Sequence, residues 1–210
     1  MIKDQMERIY SNVPLDEIPW NIESTPEILI ELLETGMVAS CKALDAGCGT
    51  GNYAVYLAGR GFEVTGIDIS PSAIEIAKKN ASSKGVECDF IVADVLGDLK
   101  EVNGTFDFVY DWQLMHHIFP LDRERYINHI HRLLNPGGQY LSVCFSEESP
   151  QFGGEGKYRK TPLDTMLYFS SESEMISLFK PLFDIRELKT IDIEGKFGSH
   201  RAIYALLGKQ

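Results

Sequence analysis

The run Leu44-Asp45-Ala46-Gly47-Cys48-Gly49-Thr50-Gly51 constrains this chain more than any other segment. Three glycines at alternate positions let a backbone turn sharply and approach a ligand with no Cβ in the way. A short apolar stretch runs into the glycines and a helix-like pattern runs out of them, so the free N–H groups of a helix start point at the same place. Strand, glycine loop and helix in that order form the first unit of an α/β sheet that holds a nucleoside. The next two strand-like runs end on acids: Val64-Thr65-Gly66-Ile67-Asp68 and Phe90-Ile91-Val92-Ala93-Asp94.

Strand and helix periods alternate along the chain, the pattern of a parallel sheet with helices on both faces. Strands are expected over 43–46, 63–67, 87–92, 106–110 and 139–145, followed by a C-terminal pair over 184–193 and 200–207 joined through 195–198. Helices are expected over 26–35, 72–83, 122–134 and 172–179, besides the one opened by the glycine loop. Pro26 after the capping candidates Ser24 and Thr25 starts the first of these, and Asn135-Pro136-Gly137-Gly138 stops the helix before strand five. The fold class is therefore a three-layer α/β/α sandwich: a mostly parallel seven-stranded sheet with an antiparallel C-terminal hairpin. One domain is expected over 1–210, with an N-terminal cover at 1–24 and an insertion at 146–170 over the mouth of the site. The insertion is too long for an ordinary connection and holds Pro150, Gly153-Gly154, Gly156 and Pro162.

With 44% apolar and 24% charged residues, the composition is that of an ordinary globular protein. A formal charge of −11 argues against nucleic acid and against an anionic membrane, since both draw their affinity from a basic surface. The local exception, Lys157-Tyr158-Arg159-Lys160, reads as a solvated loop. Cys41, Cys48, Cys88 and Cys144 have no C-x-x-C spacing and read as reduced core residues. The charged N-terminus lacks an apolar leader, and a cytoplasmic protein, monomer or homodimer, is expected. No metal site is expected.

In an open parallel sheet the ligand lies beyond the carboxyl ends of the strands, where strand order reverses. The glycine loop, Asp68, Asp94 and Asp111 all map to that edge. A short, fixed acid such as Asp68 suits two ribose hydroxyls, with Ile69 flooring an adenine. Asp94 suits the adenine amino group and Val95 its face. For each acid alone, a strand-end or capping role is the alternative.

These residues resemble the class I S-adenosylmethionine-dependent methyltransferases over nearly the whole chain. The family's first motif, (V/L)-(D/E)-x-G-x-G-x-G, is matched at every fixed place by 44–51. The resemblance implies S-adenosyl-L-methionine as cofactor and S-adenosyl-L-homocysteine as product. Asp45, Gly47, Cys48 and Gly49 would surround the methionine portion, Asp68 would take the ribose, and Asp94 with Val95 the adenine, floored by Ile69. Phe106-Asp107-Phe108-Val109-Tyr110-Asp111 looks like the fourth-strand motif, which would bring Asp111 and Trp112 to the sulfonium side. Leu134-Asn135-Pro136-Gly137-Gly138 looks like the structural turn before strand five. The layout of Pro19-Trp20, Thr25-Pro26 and 32–36 ahead of the glycine loop is similar to the thiol, halide and thiopurine methyltransferases and their tellurite-resistance relatives.

Two other classes compete. A nicotinamide oxidoreductase uses G-x-G-x-x-G and a bare helix N-terminus for a diphosphate, whereas here the spacing is G-x-G-x-G and the surroundings are acidic. A noncatalytic S-adenosylmethionine-binding module has the same cofactor residues without turnover. An arsenic-type methyltransferase is disfavoured because the cysteines map largely to strands.

Methyl transfer is an in-line displacement in which alignment does much of the work, and a base is needed only for a protonated acceptor. His116 and His117, just past strand four, are the base candidates; the alternative is that they pack or cap. His129 and His131 lie away from the strand ends and receive no role. The absence of a basic face or a recognition domain points to a small-molecule substrate, with a soft thiol, halide or chalcogen nucleophile in view. Trp20, Tyr158 and Arg159 are the substrate-binding candidates, Arg159 as an anionic handle, with Trp112, Phe152 and Tyr168 adding an aromatic wall.

Overall fold

The protein is described by a computed structural model covering residues 2–153 and 155–210. Met1 and Gly154, which belong to the 1–24 and 146–170 segments, lie outside the described residues.

Seven strands form one sheet: β1 (Lys42–Ala46), β2 (Glu63–Asp68), β3 (Asp89–Val92), β4 (Phe106–Trp112), β5 (Leu134–Phe145), β8 (Phe183–Ile193) and β9 (His200–Lys209). Their spatial order is β3-β2-β1-β4-β5-β9-β8. The first five are parallel, and β9 inserts antiparallel between β5 and β8. Strand order reverses at β1, which therefore carries the glycine loop to the crevice that this topology creates.

The inner strands are apolar on both sides because both faces are covered. Phe108 and Tyr110 of β4 pack toward one layer, with α2 (Glu27–Glu34), α3 (Asn52–Ala58) and α4 (Pro71–Lys84). Val109 packs toward the other, with α5 (Pro120–Leu133) and α6 (Glu172–Phe179). The helix starts follow local chemistry. Ser70 caps α4 by accepting from the Ala73 N–H at 3.2 Å, with Pro71 in the first turn, and Ser171 forms a capping box with Glu174 on α6.

Several boundaries differ from the sequence expectation. Ser24 and Thr25 do not cap α2; Pro26 occupies the cap position with no side-chain bond. Helix α5 begins two residues early because Pro120 takes the first turn. Asn135-Pro136-Gly137-Gly138 is an irregularity inside β5: the β4 partners jump from Leu134 to Gln139.

The N-terminal segment holds a helix the sequence reading omitted, α1 (Ile2–Asn12). Met6, Ile9 and Tyr10 recur at helical spacing and are buried with Ile18 against Ala73 of α4. The Glu7 carboxylate fastens α1 to the start of α4, accepting from the Ser70 hydroxyl at 2.6 Å and from the Ser72 hydroxyl and N–H at 2.6 and 3.1 Å. These bonds hold Glu7 down at about 2.

The 146–170 segment forms a small antiparallel ladder, β6 (Tyr158–Lys160) with β7 (Met166–Tyr168), returning beside β5 through a bridge between Ser146 and Ser170. Both lysines of its basic run are ion-paired: Lys157 with Glu147 and Glu174, and Lys160 with Asp164. All four cysteines are free. Among the described residues, no helix is long and apolar enough to cross a membrane and no group of side chains is arranged to hold a metal.

Candidate active site

An open cleft of about 1100 Å³, solvent at its mouth included, lies beyond the carboxyl ends of β1, β2 and β4. One wall is the glycine loop. Gly47 and Gly49 have φ of +77° and +52°, and a Cβ on either would meet Leu114 at 2.9 Å or the Tyr10 hydroxyl at 2.7 Å. The loop is thus left-handed and crowded, and only glycine satisfies both conditions. The Gly47 and Cys48 amides donate to the Ile67 carbonyl at 2.8 and 2.9 Å, and Asp68 accepts from the Gly49 N–H through Oδ2 and from the Ser70 N–H through Oδ1, each at 2.9 Å.

Two carboxyls on this wall are electrostatically unusual. Burial pushes Asp45 up to about 7, the Tyr110 hydroxyl working against that and Asp68 and Asp111 adding to it. Its Oδ2 is buried at the cleft lining with no close donor, the Tyr110 hydroxyl being the nearest group that acts on the carboxyl. Burial also raises Asp68, opposed by its backbone donors. A buried acceptor without a donor is costly, and a ligand carrying N–H groups or positive charge would satisfy it.

Asp94 and Val95 line the cleft with Ile69 and Cys48. Asp94 Oδ1 accepts from the Leu96 N–H at 2.9 Å, and the Val95 carbonyl meets His129 Nδ1 at 2.9 Å. A carbonyl only accepts, so His129 carries its proton on Nδ1 and braces this turn from α5. The sequence reading gave His129 no role because helix position in sequence does not reveal which loop it faces.

Much of the remaining lining is aromatic: Trp20, Tyr10, Tyr53, Trp112 and His117, with Leu114 and Ile118 beside them. The Trp20 indole donates to the Tyr10 hydroxyl at 2.9 Å and stands edge-on to His117 at 6.1 Å. Asn21 ties the N-terminal segment to the glycine loop, accepting from the Thr50 hydroxyl at 2.7 Å. Lys196 of the β8–β9 loop donates to the carbonyls of Leu15 and Asn21 at 3.1 and 3.0 Å. Gln113, missed from sequence, lines the cleft with φ of +66°, a backbone state that is costly for a residue with a Cβ.

Five expected residues stand elsewhere. Asp111 is fully buried behind the cleft, accepting from the hydroxyls of Tyr126 (2.8 Å), Tyr140 and Ser142 (3.0 Å). Burial raises it to about 6 despite these donors, so it is a brace between strands and α5 rather than a cofactor ligand. Arg159 is buried under the 146–170 segment with its guanidinium spent on the carbonyls of Gly156, Ser149, Gln151 and Glu147. An anionic handle needs free donors, and Arg159 has none pointing at the cleft. Tyr158 is exposed beside Phe119, and no described residue of 146–170 lines the cleft. Phe152 and Tyr168, expected in the aromatic wall, pack instead against Phe169 and under Arg123.

The two histidines divide. His116 is buried off the cleft and stacks on Phe145 at 4.2 Å; His117 faces the cleft. Burial keeps His116 well below its usual range and His117 at about 4, so both are neutral near pH 7. Their turn, Met115–His117, is clamped by buried Arg123, which donates to the Ile118 carbonyl at 2.8 Å and the Met115 carbonyl at 3.3 Å.

Parts of this chain are similar in sequence to known proteins. Residues 43–138 match the model of a methyltransferase domain. A 2-heptyl-1-hydroxyquinolin-4(1H)-one methyltransferase of Mycobacteroides abscessus is 35% identical over 152 residues, 70% of this chain and 66% of that protein. A probable thiol methyltransferase 2 of Arabidopsis thaliana is 30% identical over 129 residues, 60% of this chain and 56% of that protein. The chain thus spans about half to two thirds of the length of these curated relatives. A structure solved for the conversion of a disulfide bond into a thioacetal group during echinomycin biosynthesis superposes with a TM-score of 0.84 at 24% identity, covering 100% of this chain and 93% of that one. That likeness is one of fold.

Proposed function

We propose, from the premise that the chain belongs to the class I S-adenosylmethionine-dependent methyltransferases, that it methylates a small molecule through a soft nucleophile that arrives as an anion. A thiolate is the favoured case, with other chalcogen or halide centres in the same class. The cofactor fits what the cleft offers: a loop whose glycines leave no room for side chains, and an unpartnered buried acceptor on Asp45.

Asp45 would take the cationic methionine end beside Gly47 and Gly49, Asp68 the ribose, and Asp94 with Val95 and Ile69 the adenine. When bound, S-adenosyl-L-methionine supplies an electrophilic methyl group and leaves as S-adenosyl-L-homocysteine. The protein's own part is alignment and exclusion of water, through Tyr10, Trp20, Trp112 and Leu114 across the cleft.

One observation carries the choice of acceptor: the cleft histidine, His117, is a weak base, held at about 4. A base this weak takes a proton from an alkyl alcohol or ammonium poorly, which favours an acceptor that ionises on its own. The thiol methyltransferase name of the Arabidopsis relative and the N-hydroxy ring in that of the Mycobacteroides relative are consistent with an acceptor that ionises without help.

The test is a labelled-methyl transfer screen across thiols, halides, phenols and amines, with kcat followed from pH 5.5 to 8.5. Thiols should lead, and the profile corrected for acceptor ionisation should be flat in the native protein and in His117→Ala. Preferential transfer to amines, or an acid limb that His117→Ala abolishes, would overturn the proposal.

A further inference from the structure

We infer that Lys196, in the turn between β8 and β9, is a positioning residue: it holds Trp20 in place at the cleft and so sets how tightly the cofactor is kept. The inference rests on the cleft holding the cofactor and is independent of which acceptor is methylated.

Residues 13–26, between α1 and α2, form neither helix nor strand, yet they supply Trp20, Asn21 and Ile22 to the cleft. A strap of that kind has few backbone bonds of its own and keeps its shape through outside partners. Ile18, fully buried with Met6 and Ile9 of α1, fixes one point of it. Trp20 is the part that faces the ligand. Its indole donates to the Tyr10 hydroxyl, which lies 2.7 Å from where a Gly49 Cβ would stand, and its ring meets His117 edge-on at 6.1 Å. It therefore links the glycine loop to the histidine turn.

Lys196 grips the strap on both sides of that residue. Its ammonium donates to the carbonyls of Leu15 and Ile18 before Trp20, at 3.1 and 3.4 Å, and of Asn21 after it, at 3.0 Å, which uses all three N–H groups. The turn that carries it closes on itself, the Gly195 N–H donating to the Gly198 carbonyl at 3.1 Å. Asn21 completes the connection: Lys196 holds its backbone carbonyl while its side-chain carbonyl accepts from the Thr50 hydroxyl of the glycine loop at 2.7 Å. Charge strengthens the grip. Asp16 and Glu23 of the strap and Glu194 beside the turn border the same hollow as Lys196, which is the cation among its described lining residues. Without the ammonium, three carboxylates would share that junction with no counter-charge and repel strap from turn.

The test compares Lys196→Met, which keeps the reach of the side chain and removes its charge, with Lys196→Arg, which restores donors and charge. S-adenosylhomocysteine affinity is read by calorimetry at about 0.05 and about 0.5 M salt. Hydrogen exchange of 15–22 is followed in the ligand-free protein. At the lower salt Lys196→Met should bind about five- to tenfold more weakly, and 15–22 should exchange faster while β8 and β9 keep native exchange. Lys196→Arg should recover most of both. Higher salt should bring Lys196→Met part of the way back, because it screens the carboxylates, and should not tighten the native protein. Native affinity and exchange in Lys196→Met overturn the inference, as does a loss that salt deepens. Faster exchange along β8 and β9 also overturns it, since Lys196 would then support the sheet rather than place Trp20.

Discussion

Asp45, Asp68 and Asp111 are three carboxyls buried at one edge of the sheet, and the partners of each separate their uses. Asp111 is satisfied by three hydroxyls from within the fold. Asp68 is half-committed, one backbone N–H to each oxygen, with lone pairs left over for a ligand. Replacing Asp68 with Ala should weaken S-adenosylhomocysteine binding more than tenfold, about 1.5–3 kcal/mol, because the loop amides and the ligand lose the same acceptor. Unchanged affinity in titration calorimetry would refute the ribose role. Asp45 is the uncommitted one. With its carboxyl near 7, it is mostly protonated at pH 6 and mostly ionised at pH 8. A cationic ligand favours the ionised form, so S-adenosylmethionine affinity should climb about tenfold over that interval and proton release should accompany binding at neutral pH. In Asp45→Asn the climb should vanish; its persistence would assign the proton elsewhere.

Among the elements, α1 is the one on which the closed cleft most depends. It brings Ile2, Met6 and Tyr10 to the site, and the Glu7 carboxylate and the Ser11 hydroxyl fasten it to the start of α4. Because Glu7 is held at about 2 against its ordinary 4.5, its contribution is complete above pH 4.5 and fades as the pH falls toward 2. Glu7→Gln should lower Tm by roughly 2–4 °C, the value of a lost helix cap of about 1 kcal/mol, and weaken cofactor binding several-fold. A variant with native Tm and affinity would show that apolar packing alone seats α1. The periodicity of Met6, Ile9, Tyr10 and Val13 was legible in sequence, and the alternating charges between them obscured it. The 146–170 segment shows the opposite error. Its length and glycines marked it as a functional cover, yet it folds into its own ladder around Arg159 and leaves the cleft to the N-terminal segment.

At the scale of the whole molecule, ligand binding and stability are linked through the glycine loop, which joins β1 to α3 and is braced from α1, α4 and Asn21. S-adenosylhomocysteine at 100 times its Kd should stabilise by about 2.7 kcal/mol, roughly 5–10 °C in Tm, and NADH should leave Tm unmoved. The reverse pattern would defeat the cofactor assignment. Sequence alone determined the strand order's consequences: the glycine spacing, the strand-end acids and the alternation of periods are local, and they are enough to require a doubly covered sheet with a nucleoside crevice at β1. It also supplied Trp20, Trp112 and His117 as cleft residues, since each adjoins an element whose end was already placed. Only the tertiary structure decided which polar side chains are spent. Asp111 and Arg159 carry the same chemistry as a ligand-binding acid and base, and apart from the Gly156 carbonyl their hydroxyl and carbonyl partners come from segments 8 to 31 residues away. Whether a buried charge faces a cleft or a neighbouring strand depends on those distant donors and acceptors, and no local pattern encodes them.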